Sequence, residues 1–277
     1  MARGKLIDTI ESVLQDKIEY FGNQHVRTIS GKEYFLKNGR DSAIYQCEAN
    51  GLRELALSQE IRVAKVVAVG SDYILTEYIR RGTTSEDFFK RFGRAFANMH
   101  RYQSGYFGFY ENNFIGNNVQ VNIPNEKERS DWATFYFNRR LLFQFQLAET
   151  NGYMTRELKN GMDRLEKNIA TILKDSIEPP CLLHGDLWAG NFICDENGEA
   201  VLIDPAVYYG HREADLAMTK LFGGFSQSFY DSYQREYPLK PGWEYREGLY
   251  KLYHVMNHLN LFGYGYLHEV KSILNQY

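Results

Sequence analysis

The sequence has 277 residues, 44% hydrophobic and 24% charged, which is enough chain to bury a sizeable core in one large domain or two lobes. A net charge of −3 without a concentrated Lys/Arg tract excludes the clustered positive charge that a nucleic-acid partner needs, and no apolar run approaches the roughly 20 residues that cross a bilayer. Three scattered cysteines (Cys47, Cys181 and Cys194) form neither a disulfide framework nor a zinc knuckle, and Met1 to Gln15 lacks the apolar stretch of a signal peptide; a cytoplasmic protein with a small-molecule partner and no membrane or nucleic-acid role is the expectation.

In chain order, Leu6 to Gln15 has apolar residues at helical spacing and predicts a short opening helix. Val26 to Ile29 and Glu33 to Lys37, separated by Ser30-Gly31-Lys32, read as a hairpin. Ala43 to Ser58 has helical periodicity through Ile44, Cys47, Leu52 and Leu55, although Gly51 weakens it. Lys65 to Val69 and Tyr73 to Tyr78, around Gly70-Ser71-Asp72, predict a second hairpin. After Arg80-Arg81-Gly82 the pattern changes to long helices: Thr84 to Tyr102 with Thr84 or Ser85 as cap, Asp131 to Asn151, Thr155 to Lys174, and several beyond Ala214. The expected fold class is therefore α+β with two lobes: a small β-rich lobe with one helix over residues 1–79, and a larger helical lobe over 80–277, with a ligand cleft between them.

The exception to the helical pattern is Cys181 to Pro205, where Leu182-Leu183-His184-Gly185-Asp186-Leu187-Trp188-Ala189-Gly190-Asn191 precedes Val201-Leu202-Ile203-Asp204-Pro205. The order is H-x-D, four residues, N, and then an apolar strand ending in a second Asp, as in a phosphotransferase catalytic loop. Phosphoryl transfer needs a carboxylate at the attacking hydroxyl, which points to Asp186, and hard oxygen donors for magnesium, which points to Asn191 and Asp204. Any one of these is an ordinary turn residue; the joint spacing with His184 favours catalysis. His184 is expected to brace the loop, because Asp186 already fills the proton-accepting role.

Upstream, Lys37 ends a candidate strand and Glu48 lies in the next helix, the order in which a kinase holds the ATP phosphates with a lysine fixed by a glutamate. Alone such a pair is usually a solvated one. Glu77 and Tyr78 close the last strand, where main-chain groups would meet adenine.

The catalytic tract with Trp188, the Asp204-Pro205-Ala206 run and Tyr208-Tyr209-Gly210-His211-Arg212-Glu213-Ala214-Asp215 through Phe222-Gly223-Gly224-Phe225 resemble the fructosamine kinase family. Upstream, Gly105 to Phe109, Asn113 to Gly116 and Asp131-Trp132 extend the resemblance over most of the chain from Lys37 onward. The resemblance implies a protein-kinase-like fold, ATP and Mg2+ as cofactors, and phosphorylation of the sugar O3 hydroxyl of ketosamines, free or on a glycated protein, which then decompose. It implies Asp186 as base, Asn191 and Asp204 as metal ligands, and Lys37 with Glu48 at the phosphates. Trp188 is expected to stack on the sugar, His211 and Glu213 to line the sugar pocket, and Asp215 to accept backbone hydrogens from the catalytic loop.

Where the family has a Gly-Gly pair over the phosphates, this chain reads Tyr20-Phe21-Gly22-Asn23-Gln24-His25, a shortened loop with one glycine and no cysteine, so no redox-switched disulfide is expected there. Two alternatives share much of this sequence: a kinase for another hydroxylated small molecule (an aminoglycoside, choline or a sugar) and a nucleotide-binding module without turnover.

Overall fold

The computed structural model describes residues 3–39, 41–85 and 87–277. The Met1 end of the opening segment and the Glu86 position in the expected third helix lie outside these residues. Helix α1 (Arg3–Leu14) leads into β1 (Ile18–Phe21), β2 (His25–Thr28) and β3 (Glu33–Asn38), followed by α2 (Ser42–Ala56), β4 (Arg62–Val63), β5 (Val66–Val69) and β6 (Tyr73–Glu77). Five of these strands form an antiparallel sheet in the order β1-β2-β3-β6-β5.

Alternation along the strands decides which helix each side chain meets. Leu36, Tyr73 and Leu75 pack with Leu6 and Ile10 of α1 on one face. Ile74 and Ala64 pack with Tyr45, Ala49 and Leu52 of α2 on the other. Lys37, one residue after Leu36, consequently faces α2, where Glu48 lies. Helix α2 starts at Asp41, whose carboxylate accepts the Ala43 amide at 2.8 Å and satisfies one of the free first-turn donors. Gly51 is buried in that helix, and a Cβ there would come within 3.3 Å of Pro205 and Val207. The glycine that weakens the helical pattern therefore lets α2 close onto the segment after Asp204.

The rest of the chain is mainly helical: α3 (Phe88–Met99), α4 (Trp132–Tyr136), a π-helical turn Phe137–Leu142, α5 (Phe143–Thr150), α6 (Arg156–Leu173), α7 (Glu213–Leu221), α8 (Gln227–Glu236), α9 (Trp243–Phe262) and α10 (Leu267–Leu274). Phe88, Phe92 and Phe96 recur every fourth residue on α3 and meet Phe192, Phe225 and Phe229, burying a continuous aromatic core. The third helix begins after Asp87 rather than at Thr84 or Ser85. The expected Asp131–Asn151 helix is interrupted where Arg140, fully buried, turns inward to the Val121 carbonyl and the Asn122 side chain at 2.5 and 2.7 Å.

Among the short strands not expected from pattern are β1, the hairpin β7 (Asn113–Ile115) with β8 (Asn118–Gln120), β10 (Phe192–Cys194) and β12 (Tyr208–Gly210), which pairs with β9 (Cys181–Leu183). At three or four residues each they carry too little periodicity to read. β10 pairs with β11 (Ala200–Leu202), and β11 pairs in parallel with β4, Val201 opposite Arg62 and Leu202 opposite Val63. The strand leading to Asp204 is thus joined to the N-terminal region. Arg62 reinforces this junction, donating to Glu77 and to Asp195, each at 2.7 Å.

Candidate active site

Five side chains drawn from separate parts of the sequence, Lys37, Glu48, Asp186, Asn191 and Asp204, meet at the base of a cavity of about 970 Å³ between the sheet and the helices. Lys37 Nζ donates to Glu48 at 2.8 Å and makes a short ion pair with Asp204. Burial by itself would lower the Lys37 pKa, but the two carboxylates outweigh it and hold the ammonium above its ordinary value. Asn191 donates its amide hydrogens to the Asp186 main-chain and side-chain oxygens at 2.8 and 3.3 Å, which leaves the amide oxygen as the group it can present to a cation. Asp204 has φ +53°, a left-handed conformation uncommon outside glycine, and in it the carboxylate turns back toward Lys37.

The catalytic tract is braced from below. Asp215, in the first turn of α7, accepts the His184 amide at 2.7 Å and the Gly185 amide at 2.8 Å. Its carboxylate also meets His100 at 3.3 Å, and His100 meets Tyr233 at 2.7 Å. Burial would raise the Asp215 pKa, yet the His100 hydrogen bond and the loop amides hold it below the usual carboxylate range. His184 receives the Asp186 amide on Nδ1 at 3.3 Å, so Nε2 carries the proton and donates to the Ile203 carbonyl at 3.0 Å. Burial lowers the His184 pKa, so the ring is a neutral strut between the loop and the strand that delivers Asp204. Gly185 has φ +81°, and a Cβ there would lie 1.9 Å from the Ala206 carbonyl oxygen; no other residue fits.

Asp186 projects into the cavity. Burial first, and the neighbouring Asp204 charge second, push its carboxyl well above the usual range against the opposing Asn191 hydrogen bond. A carboxylate of raised basicity at the floor of a cleft is suited to accepting a hydroxyl proton. Among the described residues no three His, Cys, Asp or Glu side chains converge on a metal position. Asn191 and Asp204 supply two oxygen donors, which fits Mg2+, a cation that usually takes few protein ligands and completes its shell with phosphate oxygens and water.

A smaller cavity of about 150 Å³ extends from Lys37 and Glu48 between Phe35, Leu52, Ala64, Ile193 and Ile203 to Thr76, Glu77 and Tyr78. The amides of Glu77 and Tyr78 are both taken, by the Lys65 and Glu33 carbonyls. A donor for a purine edge must therefore come from beyond Tyr78. Gly22, Asn23 and Gln24 make a three-residue turn between β1 and β2, closed by the Gly22 amide on His25 O at 2.8 Å, and Asn23 and Gln24 line the large cavity.

Trp188 also lines the large cavity and is 39% exposed. His211 and Glu213 do not reach it, which corrects the expectation that they line a sugar pocket. His211 is buried, bonded to the Ser176 carbonyl at 2.6 Å and stacked on Tyr250. Glu213 is buried in a two-pronged pair with Arg246 at 2.6 and 2.8 Å. The polar turn these residues suggest in sequence is carried into the interior by β12 pairing with β9. Conversely, the cavity wall includes Phe114, Met218, Phe222, His258 and Phe262, none of which the sequence reading assigned to the site.

A sheet-plus-helices fold with Lys37, Glu48, Asp186, Asn191 and Asp204 converging on one cleft defines a phosphotransferase of the protein-kinase-like class. Solved structures of that class share the fold at low identity: choline kinase LicA from Streptococcus pneumoniae (TM-score 0.63, 18% identity, all of both chains) and the gentamicin complex of APH(2'')-IIa (TM-score 0.63, 15% identity, 100% of this chain and 97% of that one). The fructosamine kinase family model matches residues 9–277, and the chain belongs to that family; it is an ATP-dependent kinase. It is 39% identical over 266 residues to the chloroplastic protein-ribulosamine 3-kinase of Arabidopsis thaliana (91% of this chain, 78% of that protein), and 38% identical over 264 residues to a ketoamine kinase candidate of Synechocystis (92% and 86%). A solved fructosamine-3-kinase candidate from Thermobifida fusca superimposes with a TM-score of 0.88 at 27% identity over 98% of this chain and 97% of that chain.

Proposed function

We propose that this protein transfers the γ-phosphoryl group of ATP to the sugar O3 hydroxyl of ketosamines, the rearranged adducts of sugars with amines. The observation that carries the reading is the convergence of Asp186, Asn191 and Asp204 with the Lys37–Glu48 pair in one cavity, in a chain of the fructosamine kinase family. Residues 1–79 act as the nucleotide lobe and 80–277 as the acceptor lobe. Lys37, fixed by Glu48, holds the α- and β-phosphates, and the main chain at Glu77 to Ile79 meets adenine. Asn191 and Asp204 would hold Mg2+, which would supply positive charge to neutralise the phosphates during transfer. Asp186 accepts the proton of the attacking hydroxyl, a new P–O bond forms at O3, and ADP leaves with the electrons of the broken bond. Trp188 offers an indole face to the sugar. His184 and Asp215 keep the loop in place without touching substrate. The 3-phosphate then destabilises the adduct and frees the amine, a repair reaction suited to the cytoplasm; no described helix is long and apolar enough to cross a membrane.

The test is ATP consumption with Mg2+ on fructosyl-lysine and ribulosyl-lysine beside an aminoglycoside and choline, with the 3-phosphorylated product followed. Turnover confined to the ketosamines is expected; turnover of only another alcohol discards the repair role and keeps the phosphotransferase.

A further inference from the structure

The acceptor end of the cavity is walled by a connected series of aromatic rings that the transfer reaction does not require. It starts at Trp188, two residues past Asp186. Trp188 meets Phe222 edge-to-face at 6.0 Å, Phe222 meets His258 at 4.9 Å, and His258 meets Phe262 at 5.4 Å and Tyr266 at 5.2 Å. These rings come from the catalytic loop, the end of α7, the last turns of α9 and the turn before α10. Trp188, Phe222 and Phe262 are 39%, 45% and 66% exposed, yet all five rings line the same cavity. Soluble proteins seldom leave so contiguous an apolar surface open unless something covers it. Among the described residues lining the cavity, the Lys, Arg, Asp and Glu side chains are Lys37, Glu48, Asp186 and Asp204, all belonging to the phosphate-and-acid cluster at its base. Burial lowers the pKa of His258, so it adds no fixed positive charge to the wall.

Resting on the reading of the site as a ketosamine kinase, we infer that this aromatic wall is a subsite for the amine substituent of the substrate, and that it selects substituents that begin with hydrocarbon. The wall is continuous with the Asp186 pocket, so whatever is bonded to the sugar's amine, if it runs away from the acid, must run along it. A methylene chain or an aryl group gains by covering the rings. The protonated amine is favoured by the ring faces and by Asp186. A carboxylate or sulfonate in the same place loses its hydration with no lysine or arginine on the wall to replace it.

The experiment uses the full chain with ATP and Mg2+ and compares kcat/KM for adducts of one sugar with methylamine, hexylamine, benzylamine and taurine. Relative to methylamine, the hexyl and benzyl adducts should gain about tenfold, from the additional apolar area covered, and the taurine adduct should fall below all three. Phe262→Ala should narrow the spread between hexyl and methyl adducts, and Phe262→Tyr should restore it; at 66% exposure neither change disturbs the core. Equal kcat/KM across the four adducts overturns the subsite while leaving the reaction intact. A higher value for the taurine adduct overturns the subsite as well. Failure of every adduct, including methylamine, removes the ketosamine reading itself and the subsite with it.

Discussion

The Asp186 tract and the β1–β2 hairpin, proposed to cover the phosphates, line the same cavity but are held in opposite ways. Around Asp186 three backbone donors find buried acceptors: Asp215 takes two loop amides, His184 takes a third, and Gly185 packs against Ala206 with no room for a side chain. The β1–β2 hairpin is an edge ribbon with an exposed Tyr20, tied by strand pairing and by ring contacts from Tyr20 to His25 at 5.5 Å and from His25 to Tyr78 at 4.4 Å. The difference follows from the tasks. A proton-accepting carboxylate must be held within fractions of an ångström, which buried hydrogen bonds achieve, whereas a cover over phosphates has only to present amides. The shortened loop fits this: its single glycine has no left-handed φ to support, and a Cβ on Gly22 would press on the movable Tyr20 ring.

Four changes would break or sharpen that contrast. The largest effect belongs to Asp186→Asn, which removes the proton acceptor while keeping its shape; kcat should fall by about 10²–10⁴ with ATP binding retained. An unchanged turnover number in a coupled assay would end the assignment. Next is Asp215→Ala, which strands two buried amides; we expect a loss of roughly 3 kcal/mol in denaturant unfolding together with a reduced kcat. A stable variant with full activity would show that the loop needs no support from α7.

The third test separates the two carboxylates by pH. The Asp186 pKa is raised, chiefly by burial and then by Asp204, so the base is lost as pH falls through a value above the ordinary carboxylate range. The Asp215 pKa is depressed, because His100 and the loop amides overcome the opposing effect of burial. Its stabilisation is complete above the unfolded-state pKa and disappears only as pH drops through the lower folded value. Acid should therefore abolish kcat/KM while circular dichroism still reports a folded chain; coincident loss of both would contradict the opposite shifts. The smallest effect is expected at Arg62→Met. Its bonds to Glu77 and Asp195 join the strand end beside the smaller cavity, the proposed adenine site, to the strands leading to Asp204. Such half-exposed pairs are worth at most about 1 kcal/mol, so a two- to threefold rise in KM for ATP with kcat retained is the expected split. A larger effect on kcat than on KM would mean that Arg62 governs the position of Asp204 rather than the nucleotide end.

The misplaced residues show what pattern cannot supply. His211 and Glu213 are polar and follow the strand that leads to Asp204, so in one dimension they look like pocket residues; pairing of Tyr208 with Leu183 in the fold turns that run inward, where Ser176 and Arg246 satisfy them. The aromatic wall was illegible for the reverse reason. Phe222, the α9 pair His258 and Phe262, and Tyr266 come from three separate segments, and in sequence each looks like one more core ring. A signal existed in the late turns of α9, where Phe262 is an aromatic on an exposed position.

The sequence by itself determined the two-part α+β outline, the helix that carries Glu48, and the order of His184, Asp186, Asn191 and Asp204, because spacing over a dozen residues encodes local geometry and chemistry directly. Only the tertiary structure decided that Lys37 reaches Asp204 across 167 positions, that Gly51 is small so that α2 can meet Pro205 and Val207, and which rings face the acceptor. Those outcomes depend on how helices and sheet pack against one another, and packing is set by long-range complementarity of surfaces that no local window contains.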